Sequence, residues 1–262
     1  MNPANTPLVT LLTDFGREDI YVGVMKGVIH GIVPAARVVD LSHDVAPFDL
    51  TEAAVRLRQA APFFPIGTVH VVVVDPGVGG DRRALAMKSG DQFFVAPDNG
   101  VLTLVAQHGA EQVVAVENRA YGLPELSATF HGRDLFAPVG AHIARGVPLE
   151  ELGPTAGEIA RLTLPEPKHL PDGTVKGAVL WADHFGNLVT NIPGEWCREG
   201  CAVEVEGQTL KPIRKTFSEA RQGALLAYVG SFGQLEIAVR LGSAADRLKA
   251  GRGCAVRLLK GD

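Results

Sequence analysis

Cysteine is scarce in this chain: three residues in 262. Cys197, Cys201 and Cys254 are an odd and sparse set, so a disulfide framework is not expected and a reducing, cytoplasmic setting is. Cys197 and Cys201 stand four apart with no second pair, which speaks against a zinc site and reads as two small residues near the start of a strand. No run approaches the roughly 20 apolar residues of a membrane helix. Met1 to Pro7 has neither a basic n-region nor a long apolar h-region, so a secretory signal is not expected. Positive charge is scattered, and the formal net charge is −4. Nucleic-acid proteins usually concentrate a basic face, so nucleic acid is not the expected partner. A cationic small ligand is compatible with the balance. The phosphate-binding and metal-hydrolase signatures are also missing. Gly77-Val78-Gly79-Gly80 lacks the lysine and following Ser/Thr of a P-loop, no dinucleotide fingerprint occurs, and no HxH or HExxH spacing appears. There is no internal repeat and no low-complexity tract.

What remains is a globular chain, 46% hydrophobic. Leu8–Leu12, Arg37–Leu41, Thr68–Val74 and Gln112–Val116 read as strands. Residues 71–74 are four consecutive valines, apolar on both faces as a central parallel strand must be. Ala84–Lys88 and Gln92–Ala96 read as a hairpin turning at Ser89-Gly90-Asp91. Helical spacing covers Ile20–Ile32, Thr51–Ala61, Val101–Gln107 and Leu135–Arg145, with Thr51 as an N-cap and Pro62 as a stop. Alternating strand and helix predict an α/β domain with a mostly parallel sheet over residues 1–155. Pro165, Pro167 and Pro171 mark residues 156–173 as a linker. Beyond it only short strands recur: 175–181, 188–192, 202–205, 208–213, 225–229, 235–239 and 254–258. Residues 174–262 are expected to form a smaller antiparallel β-barrel domain.

Five loops set acidic or amide side chains beside glycine or proline: Thr13–Gly16, Asp75–Gly79, Pro97–Gly100, Thr129–Asp134 and Asp183–Asn187. Most follow apolar runs, and polar groups at buried strand ends are how open α/β sheets build ligand sites. Asp14 fits either a ribose-binding carboxylate or a helix cap or Asx-turn. Asp75, with Arg82 or Arg83 beyond a glycine turn, fits a structural ion pair or a holder for a small nucleophile. His131 fits a satisfied structural histidine or a catalytic one, and Gly132 beside it lets a ligand approach the backbone closely. Arg133-Asp134 fits an ion pair at the start of the next helix. Phe185 and Asn187 suit a purine, by stacking and by edge hydrogen bonds, or a simple β-turn with Gly186. Gly230–Gly233 adds the Ser231 hydroxyl and Phe232. Glu236 is an unusual acid in an apolar stretch.

Six motifs in order, TDFG, VDPGVG, PDNG, TFHGRD, DHFGN-LVTNI and GSFG-LEIA, span nearly the whole chain. In this the sequence resembles the S-adenosylmethionine (SAM) hydroxide adenosyltransferases, relatives of the SAM-dependent fluorinase and chlorinase. The resemblance implies an α/β domain followed by a β-barrel, and a homotrimer with active sites between neighbouring subunits. It implies hydrolysis of SAM to adenosine and methionine, with SAM as substrate and no cofactor. The family's water-holding triad falls on Asp75, Arg82 and His131, with Arg83 the rival for the arginine. Ribose binding falls on Asp14, the methionine ammonium on Asp183 and Ser231, and adenine on Phe185 and Asn187 with backbone near Leu241. The fluorinase has serine and tyrosine at the positions of Gly132 and His131, whereas the chlorinase shares the glycine. A carboxylate at Asp75 should repel a halide but can hydrogen-bond water.

The sulfonium makes methionine a neutral leaving group, so the catalytic task is to place an oxygen nucleophile in line with C5′ and sulfur. Three competing expectations remain: a halogenase of the same fold, a non-catalytic SAM or adenosine binder, and a metal hydrolase built on His131, Asp75, Asp98 and Asp134.

Overall fold

The structure, a computed structural model, describes residues 6–107 and 109–261. It divides into two compact units between Leu162 and Thr163.

The first unit runs β1 (Leu8–Thr13), α1 (Tyr21–Ile32), β2 (Arg37–Ser42), α2 (Leu50–Ala60), β3 (Val69–Val73), β4 (Ala84–Ser89), β5 (Gln92–Pro97), α3 (Thr103–Ala106), β6 (Ala110–Ala115) and α4 (Ala137–Ala144). The six strands form one sheet in the order β2-β1-β3-β5-β4-β6. β1 pairs in parallel with β2 and β3, and β3 with β5; β4 runs antiparallel to β5 and β6. Side chains alternate across a strand, and both faces of the central strands β1 and β3 are buried. Val9, Leu11, Val69, Val71 and Val73 pack with Met25 and Ile29 of α1 and Val139 of α4. Leu12, Val72 and Val74 pack on the other face with Ala53 and Leu57 of α2. Each fully buried valine or leucine contributes about 1.5–3 kcal/mol.

The strand order also locates the site. β1 sits between β2 and β3, so the chain leaves it to one side and later returns to the other. The crevice at the carboxyl ends of two such strands is where open α/β sheets bind ligands. Thr13 is level with Val73 across that pair, so Asp14 and Asp75 both emerge at its rim.

The second unit contains β7 (Lys168–His169), β8 (Val175–Ala182), β9 (Leu188–Pro193), β10 (Ala202–Val205), β11 (Gln208–Leu210), β12 (Leu225–Val229), β13 (Gln234–Val239), α5 (Ala244–Leu248) and β14 (Ala255–Leu259). The strand order is β11-β10-β14-β8-β9-β13-β12, with β7 on β8. All pairings between these named strands are antiparallel. Arg214 bridges to Tyr228, bringing the two ends of the sheet together in a nearly closed barrel around Val175, Leu188, Ile192, Val203, Leu235 and Ile237. The mostly parallel sheet and the antiparallel barrel expected from sequence are both present. No described helix is long and apolar enough to cross a membrane.

Several local expectations need correction. Asp49, not Thr51, caps α2: its Oδ1 accepts from Glu52 N at 2.9 Å. The helix at 101–107 shrinks to the single turn of α3. The helix expected from Leu135 begins earlier as a π-helical turn, Gly132–Phe136, and becomes α-helical only at Ala137. The strand at 208–213 stops at Leu210, because Pro212 has no N–H to offer a ladder. The five residues of α5 are too few to show helical periodicity in sequence, although Ser243 caps them by accepting from Asp246 N at 3.0 Å.

Candidate active site

Asp75 follows β3 directly, where the run of buried valines ends. The turn Asp75–Val78 closes with a Val78 N to Asp75 O hydrogen bond and leads to Arg82. Arg82 Nε donates to Asp75 Oδ1 and Oδ2 at 2.9 and 3.0 Å, and its Nη2 makes a further bond to Oδ2. Nη2 also donates to His131 Nδ1 at 2.7 Å. The guanidinium lies over the Phe136 ring, 5.5 Å from its centroid. The Asp75 and Arg82 side chains are only 4% and 12% exposed, so the pair is shielded and its geometry is held by packing. Burial first, then the adjacent Arg82 charge, hold His131 below the ordinary imidazole pKa. It is therefore neutral near pH 7, and because Arg82 has no lone pair, the ring proton sits on Nε2.

The rivalry between adjacent arginines ends in different partners. Arg83 bonds Asp98 Oδ2 through Nε at 2.8 Å and through Nη2, and the carbonyls of Ala156 and Glu158 at 2.6 Å. It ties the end of the first unit to β5 and does not join His131. Asp98 and Asp134 are likewise committed elsewhere, Asp134 to Arg133 and to Ser127 N. Among the described residues no three His, Cys, Asp or Glu side chains gather where a metal ion could be held.

Asp75 and His131 line a cavity of about 220 Å³ together with Asp14, Phe15, Phe48 and Gly132. Asp14 Oδ2 accepts from Phe48 N at 2.9 Å. Gly132 is closely packed: a Cβ there would lie 3.2–3.3 Å from Met25 Sδ, Phe130 and Phe15, so a side chain would need these neighbours to give way slightly. Sequence reading missed the aromatic wall of Phe15, Tyr21 and Phe130, whose rings meet edge to face at 5.2–5.9 Å. It also missed Phe48, a bulky residue at φ 66° that no turn rule announces.

A further chain of contacts ends at this wall. Phe15 N donates to Thr13 Oγ1 at 3.2 Å, and Thr13 Oγ1 meets buried His43 Nδ1 at 2.8 Å. His43 Nε2 lies 3.1 Å from Asp40, which pairs with Lys26.

The remaining candidates stand in the second unit. Asp183 follows β8 and orders the next turn: Oδ1 accepts from Phe185 N at 2.9 Å and Asn187 N at 2.8 Å, and Oδ2 from Asn187 Nδ2 at 2.9 Å. Gly186 turns the chain at φ 77°, and a Cβ there would overlap Ser243. Phe185 is left 73% exposed while Asn187 is buried. Ser231 and Leu241 are exposed, Leu241 at φ 58°.

Comparison with known proteins adds a separate line of support. Residues 9–153 match the model of the SAM hydroxide adenosyltransferase N-terminal domain, and residues 177–257 that of its C-terminal domain. The chain is similar to a curated (R)-S-adenosyl-L-methionine hydrolase of Thermus thermophilus, 43% identical over 96% of this chain and 99% of the relative. It is similar to another of that name from Salinispora tropica, 39% identical over 98% of this chain and all of the relative. A solved structure of an uncharacterized conserved protein from Thermotoga maritima superposes with a TM-score of 0.90 at 40% identity, covering 96% of this chain and all of that one.

Proposed function

The chain belongs to the SAM hydroxide adenosyltransferase family, and we propose that its site works by positioning one water molecule against the ribose C5′ of SAM. The protein is a SAM hydrolase, and adenosine and L-methionine are the products assigned to it in this reading. The observation that supports the mechanism best is the shielded Asp75–Arg82–His131 chain facing the cavity beside Asp14.

In this reading the C5′–O bond forms as the C5′–S bond breaks. The electron pair leaves with sulfur as a neutral thioether, and the water proton passes to the protein and then to solvent. Holding the reactants in line removes much of the entropic barrier. Neutral His131 presents Nε2–H as a donor to the water oxygen, and Arg82 supplies positive charge where hydroxide character develops. With Nδ1 engaged by Arg82, the histidine has no free nitrogen to take a proton. Asp75 retains carboxylate lone pairs beyond those used by Arg82 and is assigned as the acceptor. A thioether needs no acid or metal to depart, so the mechanism calls for neither metal nor cofactor.

We place the ribose on Asp14, the methionine ammonium on Asp183 and Ser231, and adenine on Phe185 and Asn187 with backbone near Leu241. The functional assembly in this reading is a cytoplasmic homotrimer whose active sites lie between neighbouring subunits. The curated relatives' name specifies the (R) form, and the same sulfonium epimer is proposed as the substrate here. Incubation of metal-free protein with each SAM epimer in chloride-free buffer tests all of this chemistry. Equal adenosine and methionine from the (R) form are expected. Unchanged SAM, or a halogenated adenosine on adding halide, would overturn it.

A further inference from the structure

Glu236 lies on β13, only 8% exposed, in a strand that is otherwise apolar or amide-bearing. Its cross-strand neighbour on β12 is Tyr228, whose hydroxyl donates to Glu236 Oε2. The other carboxylate oxygen lies against Gly230. Any side chain at that position would overlap it, so the turn Gly230–Gly233, closed by Gly233 N to Gly230 O at 2.9 Å, rests directly on the carboxylate. That turn carries Ser231. Asp183 is close enough for its negative charge to act on both Glu236 and Tyr228, and burial with that charge pushes the Glu236 carboxyl above its ordinary range. Among the described residues the donors on Asp183 and Glu236 are neutral: two backbone N–H groups, an amide and a phenol.

Two neighbouring carboxylates, one of them buried, raise each other's energy unless a cation arrives. The turn that rests on Glu236 is the one that presents Ser231 to the substrate's amino-acid tail. We propose that Glu236 is a specificity-determining residue of this reaction, a second carboxylate that acts with Asp183 to select a tail bearing a cationic amino group over a neutral one. Tyr228 helps keep that carboxylate charged. The inference rests on the assignment of the tail to Asp183 and Ser231.

The test compares kcat/KM for SAM with that for the analogue whose α-ammonium is replaced by hydroxyl, in wild type and Glu236→Gln. The wild type is expected to favour SAM strongly. Glu236→Gln should lose about tenfold or more on SAM, mainly through KM, while the analogue changes less than about twofold, since removing a nearby negative charge weakens only the cationic ligand. Equal losses on both substrates, or none on either, would overturn the proposal. A wild type that does not distinguish the two would instead overturn the placement of the tail. Adenosine affinity, read by calorimetry, reports whether the variant remains folded. Should Glu236→Gln fail to fold, Tyr228→Phe carries the test: a several-fold fall in the same preference is expected, and an unchanged preference rejects the proposal.

Discussion

Arg82 Nη2 lies 2.7 Å from His131 Nδ1, and only the arginine can be the donor across that gap. One contact therefore fixes the tautomer of the histidine and ties the cationic group of the site to the ring that faces the cavity. It also sets a sign. A second proton on His131 would have to enter at Nδ1 and break the contact, so the competent state is the neutral one.

The first expectation concerns that proton. His131 is held below the ordinary value of 6.5 by burial and by Arg82. Turnover should rise with pH through a midpoint below 6.5 and be level from neutrality upward. His131→Ala should bind SAM nearly as well and lose about 10²–10⁴ in kcat, the usual worth of a positioned proton-handling or donor group. Stopped-time assays of methionine release across pH 5–9 measure both. A midpoint above 6.5, or near-equal turnover in the variant, would contradict the assignment.

Adjacent arginines should behave oppositely. Arg82→Lys loses the fork that spans Asp75 and His131, and a loss of at least about 10² in kcat is expected. Arg83→Lys disturbs the tie between Asp98 and the carbonyls of Ala156 and Glu158. It should lower the melting temperature and leave kcat within about threefold, because structural ion pairs act on stability. The pair of variants, assayed side by side for turnover and thermal unfolding, separates the two roles.

The α2 cap offers a test away from the site. Asp49→Ala removes the bond to Glu52 N and should cost about 0.5–2 kcal/mol. Thr51→Ala lies one residue inside the helix and should cost well under half of that. Urea unfolding of the two variants decides between them, and equal losses would put the cap in doubt.

Legibility in the sequence followed the strength of the local signal. The run of valines at 71–74 announced a central strand because only burial on both faces tolerates it, and the loop after it was marked by Asp75 and Pro76. His131 stood out by its neighbours. What joins these residues is not local: Arg82 meets His131 across 49 positions, and nothing in either segment encodes that register. The identity of the arginine was open for the same reason, since adjacent side chains take separate partners only once β4 pairs with β5. Phe48 was hidden because a bulky residue at positive φ contradicts propensity, and tertiary contact overrides it. Glu236 was visible as an anomaly, but its meaning depends on Tyr228 one strand away and on Gly230 above it.

A last expectation follows from His70, fully buried in β3. Its Nδ1 meets Thr10 Oγ1 at 2.7 Å, and its ring stacks on Phe94 at 5.0 Å. Burial lowers its pKa to about 4 from 6.5. Folded His70 therefore refuses a proton that the unfolded chain accepts between those values. Its stabilising effect is complete above pH 6.5 and is lost as the pH falls towards 4, on the order of 3 kcal/mol at 1.36 kcal/mol per unit. A Thr10→Val/His70→Phe double variant replaces both members of the Thr10–His70 hydrogen bond by apolar groups of similar shape, and Gln92, which also bonds His70, keeps its Nε2 bonds to the Ala61 and Phe64 carbonyls. Urea unfolding at pH 7 and pH 4 should show the wild type losing about that much more stability than the double variant. Parallel losses in the two proteins would mean that His70 takes up its proton in the folded state without cost, and that acid sensitivity arises elsewhere.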